Sequence, residues 1–262
     1  MRVEEHQALF EVEDTYWWFV GRRRILHTLI RGALDRPGRT SRRIGDMGCG
    51  TGRNLMLLQE FGWAVGTDLS PPALNWCRQR GLRELVAAEI TRLPFAEGSL
   101  DLVTASEVLE HIQDDAAAVA ELARIIRPGG LLLVTVPAYQ FLWSEHDEAL
   151  DHFRRYSAHQ TRQLIEGAGL RVERLSHCVS FLLAPICLFR VLQRILGRIR
   201  PRRAGRPKTA YIQMPGPISR LFVWLLAVEA WLMRYVDLPV GVSIVCVARK
   251  PESPAEGRGT RA

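Results

Sequence analysis

The run Asp46-Met47-Gly48-Cys49-Gly50-Thr51-Gly52 constrains this chain more than any other stretch. Its alternating glycines follow a short apolar run and precede a helical one. Glycine lets a backbone turn sharply and approach a ligand closely, and the amides opening the next helix then face that ligand, as in nucleotide-cofactor cradles. A second apolar run, Trp63-Ala64-Val65-Gly66-Thr67, leads into Asp68, at the separation where an acidic side chain meets ribose hydroxyls. The order is Asp-x-Gly-x-Gly-x-Gly rather than Gly-x-Gly-x-x-Gly, which points away from a dinucleotide.

This motif resembles the first motif of the class I S-adenosylmethionine-dependent methyltransferases, and specifically the type 11-like family. Further elements follow in that family's order: Leu93-Pro94-Phe95, Ser99-Leu100-Asp101-Leu102-Val103, Glu107-Val108-Leu109-Glu110-His111-Ile112 and Arg127-Pro128-Gly129-Gly130. The resemblance is dense from Ile44 to Val136 and loose elsewhere. It implies an α/β fold with a Rossmann-like, doubly wound seven-stranded sheet whose last strand is antiparallel, and S-adenosylmethionine as cofactor. It also implies that Asp46, Gly48, Cys49, Gly50 and Gly52 line the methionine end, that Asp68 and Leu69 meet the ribose, and that Glu89 and Ile90 flank adenine. Glu89 stands where the family more often has aspartate, and its longer side chain still reaches an amino group.

Apolar periodicity from Arg43 onward alternates strand and helix signals, the pattern of a mostly parallel sheet covered on both faces. Strands are expected at 43–47, 64–67, 85–87, 100–104, 131–136 and 170–175, with a seventh at 241–248. Ser70, Asp114 and Ser157 stand where helix caps are expected. A far longer stretch than an antiparallel pair needs separates strands six and seven. The expected organisation is therefore an N-terminal helical lid (1–42), a cofactor-binding core (43–179), an apolar and polybasic helical insertion (180–237), the last core strand (238–250) and a disordered tail (251–262).

The net charge of +7 suggests nucleic acid until it is located. Between Glu173 and Glu229 there is no acidic residue but there are ten cations, so the rest of the chain carries −3. The two apolar stretches around this basic centre are too interrupted to span a bilayer. Amphipathic helices lying in an interface fit them better, with the cations available to anionic lipid headgroups; a helical cap on the core is the alternative. Thr104-Ala105-Ser106-Glu107 lacks a base-clamping Pro-Pro-Tyr-type element, which disfavours nucleic acid as a partner. The five cysteines form no C-x-x-C pair, so neither a disulfide framework nor a metal is expected. A charged Met1 to Ala8 predicts no secretory signal and a cytoplasmic protein, peripheral on the inner membrane face if the insertion meets lipid. The sequence leaves the oligomeric state open.

Chemistry is expected at the carboxyl ends of the strands, where an open parallel sheet presents its crevice. Ser106 and Glu107 end the fourth strand and are assigned to the cofactor side. His111, His146 and His152 are the candidate bases for an acceptor that must lose a proton. Arg154 and Arg155 offer forked donors to an acidic group, and Tyr156, Tyr16 and Trp17 are assigned to acceptor binding, with Arg23 part of the same gate. The expected activity is metal-independent, in-line methyl transfer to an amphiphilic or lipid-linked acceptor at a membrane surface. The alternatives are a soluble small-molecule acceptor under a helical lid, and a non-catalytic cofactor-binding partner subunit.

Overall fold

Short runs, buried on both faces except at the edge strands, build the sheet, as parallel strands covered by helices require. In the computed structural model, which describes residues 3–34, 41–197 and 214–252, these runs are β1 (Arg43–Met47), β2 (Trp63–Asp68), β3 (Leu85–Ala87), β4 (Leu100–Ser106), β5 (Ile126–Pro137), β6 (Arg171–Cys178) and β7 (Ser243–Arg249). They form one sheet in the order β3-β2-β1-β4-β5-β7-β6. β1 to β5 pair in parallel, and β7 lies antiparallel to both β5 and β6. The doubly wound sheet with its reversed last strand is thus the fold.

The helices, in chain order, are α1 (Val3–Val12), α2 (Trp17–Leu34), α3 (Arg53–Leu58), α4 (Pro71–Gln79), α5 (Asp115–Ile125), α6 (Glu145–Ala149), α7 (Ala158–Gly167), α8 (Leu183–Gly197) and α9 (Gly216–Leu232). Ser70, Asp114 and Ser157 cap α4, α5 and α7 through their side chains, each satisfying an amide the helix leaves open. One difference concerns β5, which starts at Ile126 rather than 131. Pro128-Gly129-Gly130 lies inside that strand: the Gly129 amide donates to the Lys250 carbonyl and the Lys250 amide to Gly130. The pairing of β4 with β5 shifts register between Leu100 and Leu102, so these residues mark an irregularity in the ladder and not its beginning.

α2 and α9 lie against each other over one face of the sheet. A Cβ on Gly21 would meet Leu226 Cδ1 at 2.0 Å, so only glycine permits this approach of α2 to α9. Trp17 meets Phe222 edge-on with centroids 4.9 Å apart. Glu229, the sole acid of α9, turns inward and accepts from the amides of Val179 and Ser180 (3.0 Å for Ser180). It thereby ties α9 to the sharp turn after β6, where Val179 has φ +59°. The basic stretch 198–213 and residues 253–262, nearly all of the expected tail, lie outside the described residues. No described helix is long and apolar enough to cross a membrane.

Candidate active site

A cavity of about 1190 Å³ opens over the carboxyl ends of the parallel strands. Its wall runs from the residues after β3 (Ala88 to Thr91), past the glycine loop after β1, to Val242 at the start of β7. It exceeds the usual 300–1,000 Å³ of a single small-molecule site, so two molecules fit side by side. Glu107 on its wall holds a strained backbone with φ +55°, and non-glycine residues hold that region only where the surroundings enforce it.

On the β1 side, the amides of Gly48 and Cys49 both donate to the Thr67 carbonyl at 2.8 Å, closing the loop against β2. Gly50 has φ +54° and no atom within 4 Å of where its Cβ would stand, so the loop crest is bare towards the cavity. The Asp68 carboxylate accepts from the Gly50 amide at 2.9 Å and the Ser70 amide at 2.8 Å. Two backbone donors therefore aim it while its remaining lone pairs face the cavity. Leu69, Glu89, Ile90, Ser106 and Glu107 also line the wall. Cys49 turns its thiol away towards Cys77, 3.9 Å off, leaving its backbone to face the cavity.

Asp46 lies beneath the loop and is fully buried. Thr104 Oγ1 donates to its Oδ1 at 2.7 Å, while Oδ2 has no hydrogen-bond partner. Burial pushes this carboxyl up to about 6 despite the Thr104 hydrogen bond, with the Asp68 charge adding in the same direction. In an unfolded chain it titrates near 3.8, so between those values the fold holds the proton more tightly. Stability is therefore greatest below this window and falls as pH rises through it, by up to about 3 kcal/mol. Asp46→Asn keeps an acceptor for Thr104 and removes the charge. By urea denaturation it should match the wild type near pH 4 and exceed it by about 2 kcal/mol at pH 8; an equal stability difference at both pH values would refute the buried charge.

The other side of the site is built around Asp147, which is fully buried on α6. Its Oδ2 accepts from the amide and hydroxyl of Ser144 (2.9 and 3.0 Å). Its Oδ1 faces His152 Nδ1 at 3.1 Å and Arg155 Nε at 2.7 Å. Burial pushes the Asp147 carboxyl up, but His152, Arg155 and Ser144 together hold it well below the usual carboxylate range. His152, five residues on from Asp147, is thus the imidazole that meets its carboxylate. His111 meets His152 edge-on with centroids 4.5 Å apart, and burial, reinforced by His152, pushes it down to about 4. All three histidines line the cavity.

Tyr16, Trp17 and Arg155 reach the cavity as expected, but Arg154 and Tyr156 do not line it. Arg154 Nη1 and Tyr156 Oη both bind Asp115 Oδ2 at 2.8 Å, because Asp115 opens α5 beside them and draws both groups off the crevice. These two are structural ties between α5 and the segment after α6. The sequence also missed Arg22. From α2 it pairs with Glu107 Oε1 at 2.7 Å and donates to Thr135 Oγ1 at 2.9 Å, so α2 is pinned over the ends of β4 and β5. Glu13, Asp14 and Arg80 form a further anchor: Glu13 accepts from Thr51 of the glycine loop and from Arg80. Glu110, buried between Leu109 and His111 in the sequence, has no hydrogen-bond partner on either oxygen.

Residues 45–134 match a family model described as a methyltransferase domain. A probable S-adenosylmethionine-dependent methyltransferase from Mycolicibacterium smegmatis is 32% identical over 165 residues, 62% of this chain and 62% of that protein. A demethylmenaquinone methyltransferase from a Mycobacterium species is 42% identical over 93 residues, 35% of this chain and 40% of that protein. The chain thus spans between 40% and 62% of the length of these two relatives. A chain in the solved complex of the Haloferax volcanii Trm112 methyltransferase activator with a putative methyltransferase superposes with a TM-score of 0.59. At 19% identity, covering 96% of this chain and 95% of that one, it shows the shared fold. The open crest at Gly50 and the aimed Asp68 carboxylate fit a cofactor that carries ribose hydroxyls, whereas Asp46 and Gly52, expected at the methionine end, do not line the cavity.

Proposed function

We propose that the chain, whose residues 45–134 match a methyltransferase domain, is a class I S-adenosylmethionine-dependent methyltransferase and that it methylates an amphiphilic or lipid-linked acceptor at a membrane surface. The cofactor, when bound, supplies an electrophilic methyl on a positively charged sulfur. The glycine loop, Asp68, Leu69, Glu89 and Ile90 hold it on the β1 to β3 side of the cavity. Arg22, by tying α2 to Glu107 and Thr135, closes water out above the strand ends. Enclosing the acceptor opposite the cofactor supplies alignment, which for an already activated donor is the main requirement.

The observation that carries this reading is the apolar end of the cavity lying next to an exposed apolar surface. Trp17, Trp18, Leu182, Ile186 and Val242 line that end, and α8 continues outward through exposed Leu188, Val191 and Leu192. α9 is apolar on both sides: Phe222, Leu226 and Ala230 pack inward, while Ile218, Leu221, Trp224 and Trp231 are exposed, Trp224 to 59%. A helix of this kind needs a further apolar surface to cover it. Interfacial insertion of α8 and α9 would place the apolar end of the cavity at the level of acyl chains.

Flotation with liposomes containing anionic lipid tests the reading. The full chain should float with them, and Leu221→Ser combined with Trp224→Ser should cut the bound fraction about tenfold or more, since each buried side chain is worth roughly 1.5–3 kcal/mol. A wild-type protein that stays in the lipid-free fraction sinks the membrane reading and favours the soluble acceptor.

A further inference from the structure

Glu110 is the anomaly of the site. It is wholly buried, yet neither oxygen meets a donor, and native proteins rarely leave a buried carboxyl in that state without a use for it. It stands in a cluster: one atom each from Glu110, His111 and His152 lies within 4.8 Å of the other two. Hydrogen bonds from Arg154 or Arg155 would have explained it, but those guanidinium groups are engaged with Asp115, with Asp147 and with backbone carbonyls.

One of the two imidazoles is already oriented by a carboxylate. His152 presents Nδ1 to the Asp147 carboxylate at 3.1 Å, which fixes that nitrogen as donor and leaves the Nε2 lone pair directed elsewhere. His111 lies edge-on to His152 with ring centroids 4.5 Å apart. A carboxylate or carbonyl on the far nitrogen is the arrangement that orients metal-ligating histidines. Asp147 is in turn fixed by Arg155 and both donors of Ser144. We propose that Glu110, His111 and His152 bind a divalent transition-metal cation facing the acceptor half of the cavity.

Two imidazoles and one carboxylate suit a borderline cation such as manganese(II), iron(II) or zinc(II) and leave coordination positions open. The ligand atoms lie within 4.8 Å of one another; with metal–ligand bonds of about 2.0–2.2 Å they sit roughly 3–4 Å apart, so the cluster closes by up to about 1–2 Å on loading. The open positions face the acceptor, and a cation there binds an acceptor hydroxyl and lowers its pKa. The hydroxyl proton leaves to solvent water, the oxygen forms a bond to the methyl carbon, and the sulfur–methyl bond breaks with its electron pair remaining on sulfur. This assigns an oxygen acceptor, and that part rests on the methyltransferase reading; the cation site itself does not. It also departs from the metal-independent chemistry expected of the sequence, in which no ligand pattern stood out.

The test is manganese binding to the full chain, stripped with chelator and dialysed, followed by loss of the free-ion paramagnetic resonance signal. One equivalent should bind saturably, and Glu110→Gln and His152→Ala should each weaken binding by about tenfold or more. Each variant is checked for its wild-type circular dichroism spectrum and for binding of S-adenosylhomocysteine by calorimetry. No saturable binding by wild type, or unchanged binding in both folded variants, overturns the site. Should Glu110→Gln fail to fold, His152→Ala alone decides. Loss of S-adenosylhomocysteine binding by the wild type would overturn the cofactor reading without touching the cation site, and loss of manganese binding alone would do the reverse.

Discussion

Asp68→Ala is expected to weaken S-adenosylmethionine binding by at least about 100-fold, read by calorimetry with the fold monitored in parallel. Two charge-assisted hydrogen bonds to ribose hydroxyls are each worth roughly 1.5–3 kcal/mol, and alanine removes both. The loss extends to the loop, because Asp68 also accepts from the Gly50 and Ser70 amides. Without that carboxylate the crest of the glycine loop loses its tie to β2, and the amide of Gly50 must find water. Asp68→Asn separates the two effects: its single carbonyl oxygen can still accept from one amide, but it carries no charge. It should bind more tightly than Asp68→Ala and still well below wild type. Wild-type affinity in Asp68→Ala would remove the ribose assignment, while equal affinities in the two variants would make the charge and not the loop the whole effect.

Much of this site was legible because its cofactor half is local. The glycine loop, β1 and Asp68 follow one another within a single β-α-β unit, and glycine spacing with a terminal acid encodes their geometry. The strand bounds 43–47 and 85–87 coincide with β1 and β3, since each is a short apolar run with polar punctuation. Caps are local too, and Ser70, Asp114 and Ser157 could be read from the residue before each helical pattern.

The acceptor half depends on contacts that sequence order does not carry. His146 is next to Asp147 in the chain, but consecutive residues on a helix point about 100° apart, and the partner is His152, after the chain has turned back at Asp151. Neighbours also part between helices: in the segment linking α6 to α7, Arg155 lines the cavity while Arg154 binds Asp115. Glu110 in Val-Leu-Glu-His reads as an ordinary polar position, and only its complete burial makes it unusual. One signal was available: two acids flank a Val-Leu pair beside a histidine directly after the fourth strand, at the crevice.

The other large effect expected of a single substitution lies far from the reacting atoms, at Arg80. This residue closes α4, is 9% exposed, and pairs with Glu13, itself 8% exposed, at 2.6 Å. Its guanidinium also donates to the Thr51 carbonyl at 3.1 Å and Asp14 at 3.0 Å, and lies 4.3 Å from the centroid of Phe10. One side chain thus joins α4, the glycine loop and the turn between α1 and α2. Arg80→Ala leaves Glu13 buried with only the Thr51 hydroxyl, and breaking a buried pair from one side costs about 3–5 kcal/mol. We expect a loss of that size in urea unfolding, together with weaker cofactor binding, because the N-terminal helices lose their hold on the loop. Arg80→Lys should recover little, since a single ammonium cannot reproduce a planar fork with three partners. Adding Glu13→Gln to Arg80→Ala should recover a substantial part of the stability, because the uncompensated charge, and not the lost contact, is the larger cost. A loss below about 1 kcal/mol for Arg80→Ala would mean that water reaches the pair and screens it as at an ordinary surface. The anchor of the N-terminal helices would then rest on Arg22 with Glu107 and on the Gly21 contact with Leu226.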